Sequence, residues 1–166
     1  MKKSIALATL ACAFGAAHAH VVLEYQVAPA AASYKATFQV GHGCGKSPTR
    51  QLVVDIPPAM QGAHPQPKAG WRIELEKSGE KVTRVTWSAL TQQDKLASEF
   101  YDEFVIVART PAEAGPVYWP VAQVCDEGRT DWVEVPRPGQ KLSELKSPAA
   151  VLEVLPAEGG AGGHHH

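Results

Sequence analysis

Apolar and polar side chains alternate with a period of two along much of this chain, in short runs separated by turn-forming residues. The run from Tyr34 to Val40 is typical, with lysine, threonine and glutamine at every second position. A period of two places successive side chains on opposite faces of a strand, and the 14 glycines and 13 prolines supply the turns between strands. Repeated helical segments of ten or more residues are not visible. The sequence therefore predicts an all-β fold, a β-sandwich in a single domain.

The candidate strands share this alternation or a short apolar run. They are residues 21–27, 34–40, 52–56, 71–76, 82–87, 103–108, 117–125, 131–135 and 151–155. Between them, residues 91–100 are the segment that could carry a short helix or a turn. Trp71 and Trp87 are in phase with the apolar positions of their strands and are predicted to be core residues.

Trp132 does not follow the apolar phase of its strand. Val133 and Val135 point one way, so Trp132 shares a face with Glu134. We expect Trp132 to lie on the outward face, either covering a site there or resting on the surface with its polar end in water.

The amino-terminal segment has the features of a secretory signal peptide. Lys2 and Lys3 precede an apolar run, residues 5–17, that is too short to span a bilayer, and Ala17-His18-Ala19 provides a small-x-small cleavage pattern. We therefore expect residues 1–19 to be a signal peptide, residues 20–155 a single domain and residues 156–166 a flexible Gly/His tail. The mature protein is predicted to be periplasmic or secreted and not transmembrane. Its His164–His166 end could be a purification tag or a native metal-gathering tail.

Of the three cysteines, Cys12 lies within the predicted signal peptide. It could alternatively be a lipoprotein acylation site, although the expected leucine three residues earlier is missing. In an oxidising compartment, Cys44 and Cys125 are expected to form a disulfide. The alternative role for these two cysteines is thiolate ligation of copper.

The charge of the chain excludes some partners. With 16 basic and 17 acidic residues, and without basic clusters, it is not expected to bind nucleic acid or an anionic membrane. The sequence also contains no serine elbow, no HExxH motif and no phosphate-binding glycine loop.

Signal cleavage after Ala19 would make His20 the first residue. An amino-terminal histidine offers its α-amine and its ring Nδ1 to one metal ion, and two such nitrogens suit tetragonal Cu(II). Cleavage after Ala17 would instead expose His18-Ala19-His20, which can also bind Cu(II) through a histidine third from a free amine. Alternatively, the histidine follows the cleavage site by chance and binds nothing.

His42 is the best candidate for a second ligand. It lies in Gly41-His42-Gly43-Cys44, at the end of a strand that could pair with the amino-terminal one, and a disulfide at Cys44 would fix the loop. It could also be an ordinary solvated loop residue. Glu103 or Glu99 could supply an oxygen ligand, or be solvated acids beside a buried strand. His64 is expected to lie on the surface, in a proline-rich connector.

At these residues the chain resembles the YcnI-like family of exported bacterial copper-binding domains. The matching segments extend over roughly residues 20–155. They are His20-Val21-Val22, residues 40–49 (VGHGCGKSPT), residues 66–71 (QPKAGW), Val85-Thr86-Trp87, residues 100–104 (FYDEF), Gln123-Val124-Cys125, Trp132 and residues 145–149 (LKSPA).

This resemblance implies an immunoglobulin-like β-sandwich and a Cu(II) site built on the mature amino-terminal histidine. It also implies a nearby tryptophan, which Trp132 matches, and a carboxylate from the end of the second strand. Some relatives carry a glutamate where this chain has Gly41-His42-Gly43-Cys44. We therefore expect His42 to replace that carboxylate, giving a brace of two histidines, with Trp132 and Glu103 adjacent to the metal.

The sequence is compatible with three classes of function. The leading hypothesis is a periplasmic Cu(II)-binding protein, not an enzyme, that acts in copper homeostasis or delivery. Its expected partners are the copper ion and, as candidates, other periplasmic copper chaperones or membrane copper transporters. The alternatives are a copper-dependent oxidase or monooxygenase with a histidine brace, and a metal-free envelope interaction module.

Overall fold

The structure is a computed structural model that describes residues 20–157. The predicted signal peptide, with Cys12, lies outside the described residues, as does the tail from residue 158, with His164–His166. What the sequence suggests about these two segments stays a prediction.

The described chain forms a β-sandwich, as predicted, and its strands belong to three sheets. The strands are β1 (Val22–Leu23), β2 (Val27–Pro29), β3 (Ser33–Val40), β4 (Thr49–Asp55), β5 (Gln61–Pro65), β6 (Trp71–Ser78), β7 (Lys81–Ala89), β8 (Asp102–Arg109), β9 (Gly115–Trp119), β10 (Val121–Cys125), β11 (Arg129–Trp132) and β12 (Ala150–Leu155). A four-stranded sheet has the order β1-β3-β8-β5, a five-stranded sheet β11-β10-β4-β7-β6, and a three-stranded sheet β2-β12-β9. A short 3-10 helix, Leu142–Glu144, precedes the last strand.

The core is one cluster of buried side chains from all three sheets, and it is rich in aromatic rings. Phe104 of β8 contacts Trp71 and Trp87 edge to face, with ring centroids 5.0 and 5.5 Å apart. Both tryptophans are buried, which confirms the prediction from their phase. Burial of such large apolar surfaces is the main source of stability for a fold without helical layers.

Two predicted strands are each divided in the structure. Residues 21–27, predicted as one strand, contribute to both β1 and β2. The pairing of β1 with β3 ends after the Glu24 amide bonds to the Thr37 carbonyl, and from Val27 the chain pairs in parallel with β12. Residues 117–125 are interrupted at Pro120, which has no N–H to donate to a sheet. The chain there passes from the three-stranded sheet to the five-stranded sheet.

The structure also defines the secondary structure of two further segments, around His64 and over residues 91–100. The predicted connector around His64 is the strand β5, in which His64 pairs with Val107 and remains exposed, as expected. Residues 91–100, predicted as a helix or a turn, form turns and bends. In the part of the chain that the structure describes, no helix has the length and apolar character needed to cross a bilayer.

Candidate metal centre

The candidate site lies where the edges of two sheets meet. His20 lies two residues before β1, an edge strand of the four-stranded sheet, and Trp132 is the last residue of β11, an edge strand of the five-stranded sheet. Their rings contact edge to face, with centroids 5.3 Å apart and planes at 87°. The structure thus brings together two of the residues that the sequence singled out.

Trp132 is oriented differently from the prediction. It is buried, with 5% of its surface exposed, whereas Val133 and Val135 are 48% and 50% exposed. Trp132 pairs with Val121 of β10 and lies on the inward face of the sheet. The strand ends there, and the amides of the next two residues both bond to the Ser147 carbonyl. The alternation on which the prediction rested therefore does not continue past Trp132.

A buried amide connects Trp132 with the loop that carries His42. Gln123 is 1% exposed, and its Oε1 accepts a hydrogen bond of 3.4 Å from the Trp132 indole Nε1. Its Nε2 donates to the His42 carbonyl at 2.5 Å and to Thr49 Oγ1 at 2.8 Å. In the sequence, Gln123 stands within a segment that resembles the family, and no role was predicted for it. The signal that could have identified it is a polar residue between Ala122 and Val124 in an otherwise apolar run.

The His42 side chain is half-buried, and its Nδ1 lies 2.5 Å from the Gly43 carbonyl oxygen. Because a carbonyl oxygen only accepts, Nδ1 must be the donor in this hydrogen bond. In a neutral ring that tautomer places the lone pair on Nε2. Metal-binding histidines commonly use this arrangement, in which one ring nitrogen bonds to an acceptor and the other bonds to the metal.

The loop around His42 is held by its own backbone and by a disulfide. Cys44 and Cys125 form the predicted disulfide, with a Cα–Cα distance of 5.9 Å, so neither sulfur is a thiolate ligand in this structure. The backbones of Cys44 and Ser47 also bond to each other. A Cβ at position 43 would lie 1.9 Å from the Ser47 carbonyl oxygen, so only glycine fits between His42 and Cys44.

The predicted acidic residues lie beside this region, on the four-stranded sheet. Glu103 pairs with Gln39, which pairs with Val22, so two strand spacings (about 10 Å) separate Glu103 from β1. The Glu103 carboxylate accepts a hydrogen bond from the Tyr101 hydroxyl. Loss of hydration, then this hydrogen bond and the charge of Glu103, raise the pKa of Tyr101 to about 12. Glu99 is exposed.

Within residues 20–157, no three histidine, cysteine or acidic side chains are grouped so that they could hold a metal ion. The donors that the sequence predicts for this site are the nitrogens of His20 and His42. Nitrogen donors of this kind suit Cu(II). The residues present thus fit copper by the chemistry of their donors.

The fold places this protein in a structural class. A solved structure of an uncharacterized protein from Nocardia farcinica, reported to have an immunoglobulin-like fold, superposes with a TM-score of 0.70 at 23% sequence identity. The match covers 81% of this chain and 97% of that protein. This protein is therefore an immunoglobulin-like β-sandwich, as the resemblance implied.

The chain belongs to the family described as a domain of unknown function, DUF1775, which is the YcnI-like family, and residues 20–154 match it. This confirms the resemblance seen in the sequence. One relative is the copper-binding protein CutI of Bacillus subtilis (strain 168), which is 26% identical over 81 residues. That match covers 49% of this chain and 39% of the relative, so the chain spans well under half of the relative's length.

Proposed function

We propose that this protein binds Cu(II) in the bacterial envelope, through the amino-terminal nitrogens that removal of a signal peptide creates at His20. The observation that carries this proposal is the position of the His20 ring. It lies at the meeting edge of two sheets and against Trp132. The relative named as copper-binding and the match to the family support the choice of metal.

The chemistry follows from the residues at this edge. Once the preceding peptide bond is cleaved, His20 offers an α-amine and an imidazole, which together can chelate one ion. His42 would add its Nε2, because its Nδ1 donates to the Gly43 carbonyl. Bound copper would supply a Lewis-acidic and redox-active centre. The buried Trp132 would form an apolar wall beside it and limit the access of water.

The role that fits this chemistry is copper homeostasis or delivery in the periplasm. Other periplasmic copper chaperones or membrane copper transporters would be the donors and acceptors. A half-buried site at a sheet edge lets a partner approach His20 directly, because β1 has β3 on one side and no paired strand on the other among the described residues. Storage and transfer both require such access, since the metal must enter and leave.

The terminal chelate is tested by blocking it. Mass spectrometry first establishes whether the mature protein starts at His20. Cu(II) affinity is then measured by competition with a chelator, for the mature protein and for a variant with one alanine added before His20. We expect the added residue to weaken binding at least about tenfold, equivalent to about 1.4 kcal/mol. Equal affinities would overturn the terminal-amine model.

The contribution of His42 needs a matched control. His42→Ala is expected to weaken Cu(II) binding, whereas His64→Ala, at an exposed histidine of β5, should leave the affinity unchanged. Equal losses in both variants would mean that imidazoles bind copper non-specifically. An unchanged affinity in both would remove His42 from the ligand set.

The same samples separate the other two functions. Peroxide formation or substrate oxidation by the copper-loaded protein, dependent on an added reductant, would indicate an oxidative enzyme. A mature protein that begins at His20 but does not bind Cu(II) would indicate a metal-free interaction module. We expect neither result.

A further inference from the structure

Gln123 contacts both halves of the candidate site. Its amide bonds to the His42 backbone on one side and to the Trp132 indole on the other, and Trp132 contacts the His20 ring. We propose that Gln123 is a positioning residue that couples the His42 loop to the amino-terminal strand and so sets the relative placement of the two histidines. This inference rests on the proposed function, because it concerns the geometry in which His20 and His42 bind copper.

The orientation of the Gln123 amide is dictated by its partners. The Trp132 indole only donates, so the amide oxygen must face it, and the His42 carbonyl only accepts, so the amide nitrogen must face that side. The second N–H of the amide is taken up by Thr49 Oγ1. With both N–H groups and the oxygen bonded, the side chain has one orientation that satisfies all its partners.

The His42 loop is thereby held at two points from the same strand. Gln123 and Cys125 both belong to β10; the first bonds to the His42 carbonyl and the second is linked to Cys44. The disulfide restricts where the loop lies. The hydrogen bond from the Gln123 amide fixes the orientation of the peptide plane between His42 and Gly43. It therefore fixes the direction in which the backbone leaves His42.

A purely structural role does not explain why this position is polar. Gln123 belongs to β10, in which all five residues are buried, and it pairs with Leu52 of β4. Burying an amide in such a strand costs free energy unless each of its polar groups is hydrogen-bonded. Trp132 alone does not require the glutamine, because the indole N–H groups of Trp87 and Trp119 are buried without a hydrogen-bond partner in the described structure. An apolar residue of similar length at 123 would fill the same volume, at the cost of leaving the Trp132 indole and the Thr49 hydroxyl without this partner. It would also remove the connection to the His42 backbone.

The test compares two glutamine substitutions in the mature protein. Gln123→Met keeps the length of the side chain and removes the hydrogen bonds. Gln51→Met makes the same change on the neighbouring strand β4, where Gln51 bonds to Ser88 and contacts neither histidine segment through that amide. Each variant is loaded with one equivalent of Cu(II), and its electron paramagnetic resonance spectrum and its affinity are measured.

We expect Gln123→Met to still bind Cu(II) at the His20 chelate, with a changed copper hyperfine coupling or a mixture of two spectra, and with an affinity about tenfold lower. Gln51→Met should give the wild-type spectrum and affinity. A wild-type spectrum and affinity for Gln123→Met would overturn the inference, as would equal changes in the two variants.

A second variant keeps the inference testable if Gln123→Met does not fold. Trp132→Phe retains a buried aromatic ring but removes the N–H that bonds to Gln123, so it should alter the spectrum in the same way by a smaller amount. An unchanged spectrum in that variant would count against the coupling. Failure of the proposed function is distinct from all these outcomes, because the wild-type protein would then not bind Cu(II) through His20 at all.

Discussion

The tryptophans of this protein lie in two different environments. In the interior, Trp87 and Trp119 are fully buried, and their indole N–H groups have no hydrogen-bond partner in the described part of the chain. At the meeting edge of the sheets, Trp132 is also buried, yet its N–H donates to Gln123 and its ring contacts His20. The same side chain therefore fills volume in one region and takes part in a polar network in the other.

The difference shows how a site can be built into a sandwich without weakening its core. The interior accepts the cost of unpartnered indoles because aromatic packing against Phe104 and Phe38 compensates for it. The edge instead uses a fully bonded amide to fix a loop and an aromatic ring. We therefore expect substitutions in the interior to act on stability, and substitutions at the edge to act on copper binding.

The largest effect is expected in the interior. Trp87→Ala should lower the free energy of unfolding by about 3–5 kcal/mol, because it removes a buried ring and leaves a cavity next to Phe104. Urea denaturation measures this loss. The fraction that remains folded should bind Cu(II) with the wild-type affinity, and a large loss of affinity would show that the two regions are not separable.

Removal of the disulfide should act on both regions. Replacing Cys44 and Cys125 by serine opens a loop with a sequence separation of 81 residues. The expected loss is about 2–5 kcal/mol. Because the His42 loop is released as well, the Cu(II) affinity should also fall. If it does not, the disulfide serves stability alone and His42 is not held by it.

Trp132→Phe should cost less stability, about 1–3 kcal/mol, since Gln123 Oε1 would remain buried without its donor. Its clearer effect is on fluorescence. Bound Cu(II) should quench the emission of wild-type protein mainly through Trp132, so this variant should lose most of the copper-dependent quenching. Trp119→Phe is the matched control and should retain it. The opposite pattern would place the copper elsewhere.

The smallest expected effect is on the pH dependence of stability, and it comes from the buried Tyr34, whose hydroxyl is hydrogen-bonded. Burial, and then the charge of Glu24, raise the pKa of the Tyr34 hydroxyl, which also donates to the Tyr25 carbonyl. The unfolded chain loses this proton near pH 10 while the folded chain keeps it, so stability is complete below pH 10 and declines above it. Denaturation at pH 8 and 10.5 should show a loss of roughly 1 kcal/mol from Tyr34, absent in Tyr34→Phe. Equal losses in both proteins would contradict this assignment.

The sequence predicts the parts of the fold that have a clear period. The strands around Phe38, Trp87 and Phe104 alternate cleanly, and both the core positions Trp71 and Trp87 and the disulfide were predictable. The third sheet was not predictable, because it pairs β2 in parallel with β12 from the far end of the chain. The division of residues 117–125 into β9 and β10 at Pro120 was also not predictable, because the residues on both sides of Pro120 belong to one apolar run.

The candidate site was only partly predictable. Its histidines and its tryptophan are recognisable as residue types, and the structure brings His20 and Trp132 into contact. The orientation of Trp132 was predicted wrongly, because a four-residue strand ends at this residue and Val133 no longer continues its phase. Gln123 gained its role only from three-dimensional contacts, since its partners Thr49 and His42 are distant in sequence.

The bridge between Cys44 and Cys125 has a consequence for how the molecule opens. It joins the loop that follows β3 of one layer to β10 of the other, so the two layers are cross-linked at the end of the sandwich that carries His42. Transient separation of the layers should therefore begin at the distant end, near Ile56. Amide protons there should exchange with solvent sooner than those next to Cys125, and a protease should make its first cut away from His42.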